Sequence, residues 1–330
     1  MNWQQLWRRV VALLVFGYAA GVLAVWLSLQ LLADRFWPAT LLAFGPRWGF
    51  ALPLMPLALA ALTTRASRPL LSALAATSVV LLFGVLDFHV GLGRTSQGPP
   101  LRLLTHNVGF SHITPRALDE LLTLEHVDVA ALQECSIQDD ELTRLGWRFI
   151  NNYTGCLVSR YPVAVVDVRD PMDVWKLSGS GAIARYEIET PLGRLNLLNV
   201  QLETIRDGLE SILGDKFRGI PAFNANRAEA GHEALLAREW SRRGAGDLIV
   251  AGDFNMPVES AIYRAHWGDL RNAFSVCGRG FGHTKLTSWF GIRIDHVLMD
   301  GHWRCADARV IASPYGGDHL PVVVDLVREN

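Results

Sequence analysis

Lysine is almost missing from this chain: three residues in 330, all of them after residue 175. The first 99 residues hold neither lysine nor glutamate. Their charges are seven arginines (Arg8, Arg9, Arg35, Arg47, Arg65, Arg68, Arg94) against two aspartates (Asp34, Asp87). That stretch therefore carries +5, and the net charge of −1 leaves −6 on residues 100–330. Two parts in different solvents are implied. The acidic part, with Lys176, Lys216 and Lys285 as its only lysines, is poor in the cations that non-specific nucleic-acid binding draws on. Internal repeats and low-complexity tracts are absent as well, which sets aside solenoids and disordered arrays. Cysteine is limited to four residues, all after residue 100, and none of their spacings is a zinc pattern.

What is abundant is apolar: half of the residues are hydrophobic and mean hydropathy is +0.19. Residues 10–33 run 24 positions without a charge, enough to cross about 30 Å of hydrocarbon at ~1.5 Å per residue. Residues 69–90 form a similar run interrupted only by Asp87, and 46–62 is a shorter one between them. Three spans are expected, at about 10–33, 46–62 and 69–90, with Trp3, Trp7, Trp26, Trp37 and Trp48 near their ends as interfacial aromatics. The first run exceeds the roughly 7–15 residues of a signal-peptide core and further apolar runs follow it, so it reads as a retained span. Arg8, Arg9, Arg65 and Arg68 on one side, against Arg35, Arg47 and Arg94 on the other, place the N-terminus in the cytoplasm and residues 100–330 outside. Asp87 and His89 read as wetted span-end residues. The Gly/Pro/Ser-containing string 91–100 (GLGRTSQGPP) reads as a connector, and the domain boundary is expected there.

Strand-like runs follow at 101–108, 127–132, 156–159, 182–188, 195–202, 248–251, 294–298 and 321–326. Thr114 caps a helix with Pro115 at its first position, running to about Leu124. The longest helical candidate is 224–243, with Leu235, Leu236 and Trp240 on its apolar side. Residues 203–223 read as a long loop holding Ile212, Leu213, Phe217, Ile220 and Phe223, a cover suited to an amphiphilic substrate or a bilayer. Many strands with interspersed helices and no regular βαβ alternation predict an α+β domain of packed sheets with helices outside. On the outer side of a membrane disulfides are permitted, and four cysteines allow three full pairings. Cys277 and Cys305, near loops, are the expected pair; Cys135, at a strand end, reads as a buried thiol.

Four strings carry the chemistry. Asn107 (LRLLTHNVG), Glu134 (DVAALQECS) and GDFN (252–255) each follow an apolar run, so each polar residue stands where a strand runs out. IDHV (294–297) and GGDHLP (316–321) add Asp295, Asp318 and His319. Strand ends converge on one sheet rim, and oxygen ligands of this kind suit Mg2+ or Mn2+ together with a phosphate. Asn107 and Glu134 read as metal ligands, with Asp295 or Asp318 as further candidates. Asp253 would orient or deprotonate a water, and Asn255, two residues on in extended chain, would bind phosphate oxygen. His319, held by a carboxylate such as Asp295, would stabilise the charged transition state. His106, His283 and His296 read as supporting residues.

These motifs, in this order, resemble the endonuclease/exonuclease/phosphatase superfamily over residues 101–326. The resemblance implies a four-layer αββα sandwich and hydrolysis of a phosphoester by in-line attack of water. It also implies catalytic roles for Asp253, Asn255, Asp295, Asp318 and His319, and metal binding by Asn107, Glu134 and Asp318. The apolar N-terminal third is similar to a membrane-anchored bacterial branch, which implies a multi-pass inner-membrane protein with an extracytoplasmic catalytic domain. One position departs: many members carry histidine where this chain has Gln201 (NVQLET), an uncharged donor. Arg206 and Arg227 are the candidates for replacing that positive charge at the substrate. The reading is a Mg2+- or Mn2+-dependent phosphatase or phosphodiesterase acting on a lipid-linked or membrane-proximal phosphoester. Its alternatives are an extracytoplasmic nuclease of the same chemistry and a catalytically silent binding module. No protein partner is inferred.

Overall fold

The computed structural model describes residues 2–64, 67–91, 93, 98–109, 113–137, 140–152, 155–169, 181–243, 247–312 and 317–329. Parts of the connector (92, 94–97), Arg65, Lys176 and Gly316 lie outside the described residues. The chain divides into two compact units: Met1–Phe88 with Glu259–Ala261, and His89–Val258 with Ile262–Asn330.

In the first unit, helices Trp3–Leu32 and Arg68–Val85 are long and apolar enough to cross a membrane. Leu13, Leu14, Leu31 and Phe83 stand exposed on them, a surface that suits lipid rather than water. Val22, Leu29, Leu81 and Val85 pack inward. The expected middle span is not one helix. It is broken into a 3₁₀ turn, Arg47–Ala51, and a ten-residue helix, Leu54–Thr63, with proline preceding each piece and lacking the N–H that would continue a helix. The last span also ends earlier than expected. The chain leaves helix after Val85, and His89–Val90 pairs instead with Arg279–Gly280 of the second unit.

The second unit is a four-layer αββα sandwich. Its strands in chain order are β1 (His89–Val90), β2 (Leu101–Asn107), β3 (Val129–Gln133), β4 (Arg148–Asn151), β5 (Gly155–Ser159), β6 (Val163–Val168), β7 (Ala182–Thr190) and β8 (Gly193–Gln201). There follow β9 (Asp247–Asp253), β10 (Arg271–Asn272), β11 (Arg279–Gly280), β12 (Lys285–Leu286), β13 (Gly291–Ile292), β14 (Asp295–Met299), β15 (Trp303–Val310) and β16 (Val322–Arg328). One sheet orders β15-β16-β2-β3-β5-β4, the other β10-β14-β9-β8-β7-β6.

Alternation along each strand decides which layer a side chain joins. Leu101, Leu103, Val129 and Ala131 meet Leu195, Leu197, Ile249 and Ala251 between the sheets. Leu104, Ala130 and Leu132 face the other way, onto Leu118, Leu121 and Leu122 of helix Pro115–Leu124. Thr114 caps that helix as expected, accepting the Ala117 N–H at 3.2 Å.

Two expectations are corrected. Residues 203–223 are not a loop: they hold helix Arg206–Asp215, the 3₁₀ turn Lys216–Gly219 and the start of helix Ile220–Ser241. That last helix buries Ala230, Glu233, Ala234, Ala237 and Trp240, while Leu235 is 41% exposed. Its inward stripe therefore keeps Trp240, as expected, but surrounds it with alanines and Glu233 rather than leucines. Cys135 is not a free thiol: it is joined to Cys156, and Cys277 to Cys305, with Cα atoms 5.7 and 6.0 Å apart. Pairing of β3 with β5 sets Leu132 opposite Cys156 and so brings Cys135 within reach.

Candidate active site

Parallel pairing of β2 with β3, and of β8 with β9, brings four strand ends to one rim. Asn107 stands opposite Gln133, one residue before Glu134, and Gln201 opposite Asp253. Antiparallel β14 starts there with Asp295 opposite Asp253, and His319 lies just ahead of β16. Close approach of β8 fixes one residue of GDFN. Gly252 has φ +153°, and a Cβ there would sit 1.8 Å from the Val200 carbonyl oxygen.

At this rim Asn107 Nδ2 donates to Glu134 Oε1 and to Asp253 Oδ2, both at 3.0 Å. Gln201 Nε2 donates to the same Glu134 oxygen at 2.7 Å. Glu134 thus has one oxygen anchored by two amides, and Oε2 makes no hydrogen bond among the described residues. Its φ of +50° is unusual for a residue with a side chain, a backbone cost that tends to persist at functional sites. His319 Nδ1 lies 2.9 and 3.2 Å from the two Asp295 oxygens, and Nε2 lies 3.7 Å from Asp253 Oδ2. Asn107, Asp253, Asp295 and His319 are all buried.

The charges follow from burial and neighbours. Burial, then the nearby Asp295 charge, pushes Asp253 up to about 7. Burial alone would raise Asp295 too, but the charge and hydrogen bonds of His319 and Thr284 hold it below the usual carboxylate range. Burial disfavours the His319 cation, yet Asp295 and Asp253 overcome it and lift the group to about 9. His106, with Nε2 3.3 Å from the His319 carbonyl oxygen, is pushed down to about 4 by burial and serves as a neutral support. His296 is likewise structural, with Nε2 3.0 Å from the Met256 carbonyl oxygen and Nδ1 3.1 Å from Asn272 Nδ2.

Asn107, Glu134, Gln201, Asp253, Asp295 and His319 therefore form one cluster. Asn255 joins it differently from the extended arrangement expected. It has φ +50°, its N–H donates to Asp253 Oδ1 at 2.8 Å, and its amide donates to the Leu202 carbonyl at 2.8 Å. Asp253 thus makes an Asx-type turn that aims its own carboxylate. Asp318 does not meet Asn107 or Glu134. Its side chain is 62% exposed and accepts from Lys285 Nζ at 2.7 Å. Arg206 and Arg227 are not brought to the cluster either. Arg206 opens a helix and pairs with Glu210 one turn on, and Arg227 makes no hydrogen bond to the cluster among the described residues.

Several contributors carry no local sequence signal. Lys285 Nζ lies 2.8 Å from His319 Nε2. Gln133 Nε2 donates to Asn199 Oδ1 at 2.7 Å and to Thr105 Oγ1 at 3.1 Å, tying the two sheets together beneath the rim. Glu233 accepts the N–H groups of Gly181 and Glu203, so it braces the start of β7 and the segment just after Gln201.

The donor set fits a hard divalent cation. Glu134 presents a carboxylate oxygen with no hydrogen-bond partner among the described residues. Asn107 Oδ1 accepts only the Gly109 N–H at 3.0 Å there and keeps a second lone pair, and the buried Asp253 lacks enough compensating charge to ionise at its ordinary pH. Asp253, Asp295 and His319 also bring one ligand atom each within 4.8 Å of one another, but His319 Nδ1 is already committed to Asp295.

A model of the endonuclease/exonuclease/phosphatase family matches residues 104–319, about two thirds of the chain. No curated protein matches it. Among solved structures, a humanized D. rerio TDP2 is 14% identical with a TM-score of 0.51, covering 69% of this chain and 98% of that one. The human Nocturnin catalytic domain with bound sulfate is 17% identical, TM-score 0.49, covering 73% and 97%. An endonuclease/exonuclease/phosphatase family protein from Bacteroides thetaiotaomicron is 15% identical, TM-score 0.49, covering 71% and 100%.

Proposed function

We propose that this chain, which belongs to the endonuclease/exonuclease/phosphatase family, hydrolyses a lipid-linked or membrane-proximal phosphoester with Mg2+ or Mn2+. The observation that carries the reading is the convergence of Asn107, Glu134, Asp253, Asp295 and His319 on one rim. Glu134 Oε2 and the remaining lone pair of Asn107 Oδ1, which also accepts the Gly109 N–H, would hold the cation, which would supply charge neutralisation at the phosphoryl oxygens. Asp253, aimed by the Asn255 N–H and the Asn107 amide, orients a water and takes its proton as the water attacks phosphorus in line; the ester P–O bond opposite breaks, and the leaving oxygen takes a proton from solvent. An acidity near 7 suits a general base at neutral pH. His319, kept protonated by Asp295, donates to a phosphoryl oxygen as negative charge builds there. Gln201 is spent on positioning Glu134, which explains how an uncharged side chain serves where many members have histidine.

Two features support a membrane-linked substrate: the two apolar helices of the first unit, and exposed apolar side chains on the catalytic unit (Leu213, Phe217, Trp289). Two disulfides support an oxidising, extracytoplasmic location for the catalytic unit, joined to a multi-pass anchor. The test offers the purified full chain, with Mg2+ or Mn2+, a polyprenyl diphosphate, phospholipids, a chromogenic phosphodiester and plasmid DNA. Phosphate or headgroup release from the lipids is expected. Nicked plasmid alone would favour the nuclease, and no turnover on any substrate would favour a binding module.

A further inference from the structure

Lys285 places its ammonium nitrogen 2.8 Å from His319 Nε2, and its position is fixed from both sides. The Leu286 N–H donates to the Asp318 carbonyl at 2.9 Å, and the Leu320 N–H to the Thr284 carbonyl at 2.6 Å, so Lys285 faces His319 across a short antiparallel bridge. On the other side, Thr284 Oγ1 accepts the N–H groups of Ile294 and Asp295, both at 3.1 Å. The backbone at Lys285 is thereby stitched to the two segments that carry Asp295 and His319. Its side chain is 22% exposed, with Nζ 2.7 Å from Asp318 Oδ2 and 2.8 Å from His319 Nε2.

The rim carries four carboxylates (Glu134, Asp253, Asp295, Asp318), yet its substrate is an anion whose oxygens gain negative charge in the transition state. Gln201 brings no charge there, its amide is committed to Glu134, and neither Arg206 nor Arg227 hydrogen-bonds the cluster. An ammonium has three N–H donors. One is used here, by Asp318; the protonated His319 ring, with Nε2 2.8 Å away, is itself a donor and accepts none, so the two cations lie side by side with N–H groups free for a shared anion. We propose that Lys285 is a catalytic residue whose ammonium binds a non-bridging phosphoryl oxygen beside His319. It supplies the fixed positive charge that Gln201 does not, and Asp318 serves as the positioning residue that aims it. This inference rests on the phosphoester reading above.

The test compares Lys285→Met and Lys285→Arg with wild type on a chromogenic phosphodiester, alongside inhibition by inorganic phosphate and Mn2+ binding by calorimetry. For Lys285→Met, kcat/KM is expected to fall about 10²–10³-fold, as when one oxyanion-stabilising donor is lost. The phosphate inhibition constant should rise at least about tenfold. Lys285→Arg should recover to within about tenfold of wild type, and Mn2+ affinity should stay within about threefold in both. If Lys285→Met keeps kcat/KM and phosphate inhibition near wild type, the role is refuted. It is refuted equally if both variants lose Mn2+ binding or folding together with activity, since the lysine would then be structural. A wild type without turnover whose phosphate binding still depends on Lys285 supports the anion site and sinks the hydrolase. A wild type with neither sinks both.

Discussion

Asp295→Asn isolates the electrostatic support of His319, because the amide keeps the shape of the carboxylate and removes its charge. In the native site the imidazole faces both Asp295 oxygens, at 2.9 and 3.2 Å. The rise of His319 from its ordinary 6.5 to about 9 corresponds to roughly 3 kcal/mol, at about 1.4 kcal/mol per tenfold change in acidity. Burial and Lys285 both work against the cation, so the carboxylates supply more than that difference. Asp295 is the larger contributor, with Asp253 next. Without the Asp295 charge His319 titrates near or below 6.5 and is neutral at pH 8. The variant should therefore lose about 10²–10⁴-fold in kcat/KM at that pH, the range for one general acid or electrostatic group. Its alkaline limb should move from near 9 down to about 6–7. Stability follows the same sign. A histidine whose folded value is raised contributes stability fully present below about 6.5 and lost as pH rises through about 9. The variant's deficit in unfolding midpoint should accordingly be largest near pH 6 and shrink by pH 9.5. The assay is kcat/KM against pH from 5.5 to 10 at saturating metal. An alkaline limb that stays near 9, or moves upward, would refute the assignment of His319 as an acid held by Asp295.

Gln201→Ala removes one of the two amides that anchor Glu134, and Mn2+ affinity measured by calorimetry should fall about 10–100-fold, as for other groups that orient a ligand. Glu233 tests a pH linkage of the same sign in a lower window. Burial, only partly offset by the N–H groups of Gly181 and Glu203, raises its carboxyl to about 7, so its contribution is fully present below about 4.5 and lost as pH rises through about 7. The loss is roughly 3 kcal/mol at most. Wild type should therefore lose thermal stability between pH 5 and 8, while Glu233→Gln should show a flatter profile by intrinsic fluorescence. Equal slopes would remove Glu233 from the account.

The rim was readable from sequence because Asn107, Glu134, Gln201 and Asp253 stand where apolar strands run out, while Asp295 and His319 stand where others begin. DLIVAGD is buried along its whole length and LRLLTHN at every position but Arg102, and a polar side chain closing such a run has the rim as its natural place. Edge strands gave weaker signals. β4 is buried at none of its four positions, so its sequence, RFIN, has no apolar run to read. The segment 203–223 misled for a different reason. Its glycines look like loop punctuation, but Gly208 lets one helix approach another, where a Cβ would meet the Phe223 Cα at 2.7 Å, and Gly219 sits where a Cβ would meet Ser211 backbone at 2.3 Å. Close packing and loop chemistry use the same residue, and sequence alone does not separate them. The middle apolar segment falls close to its expected bounds, at Arg47–Thr63, but composition counts apolar residues, whereas Pro46 and Pro53 decide where its helical pieces start.

Lys285 was invisible for a third reason, and it shows where sequence reasoning reaches its end. Lysine after threonine in a short hairpin (KLTSWFGI) has no local pattern to distinguish it from solvated surface. Arg206 and Arg227 were the more natural choices, being arginines that follow Gln201 in sequence. What selects Lys285 is register: bonds from Leu286 and Leu320 set it opposite His319, and Thr284 joins the same segment to Asp295. Residues that act at strand ends are found by their own strand's hydrophobicity. A residue whose position is dictated by two neighbouring segments far away in sequence is found only once those segments have paired. The same logic explains Glu233, placed by the N–H groups of Gly181 and Glu203 rather than by its own helix, where a buried carboxylate breaks the apolar stripe.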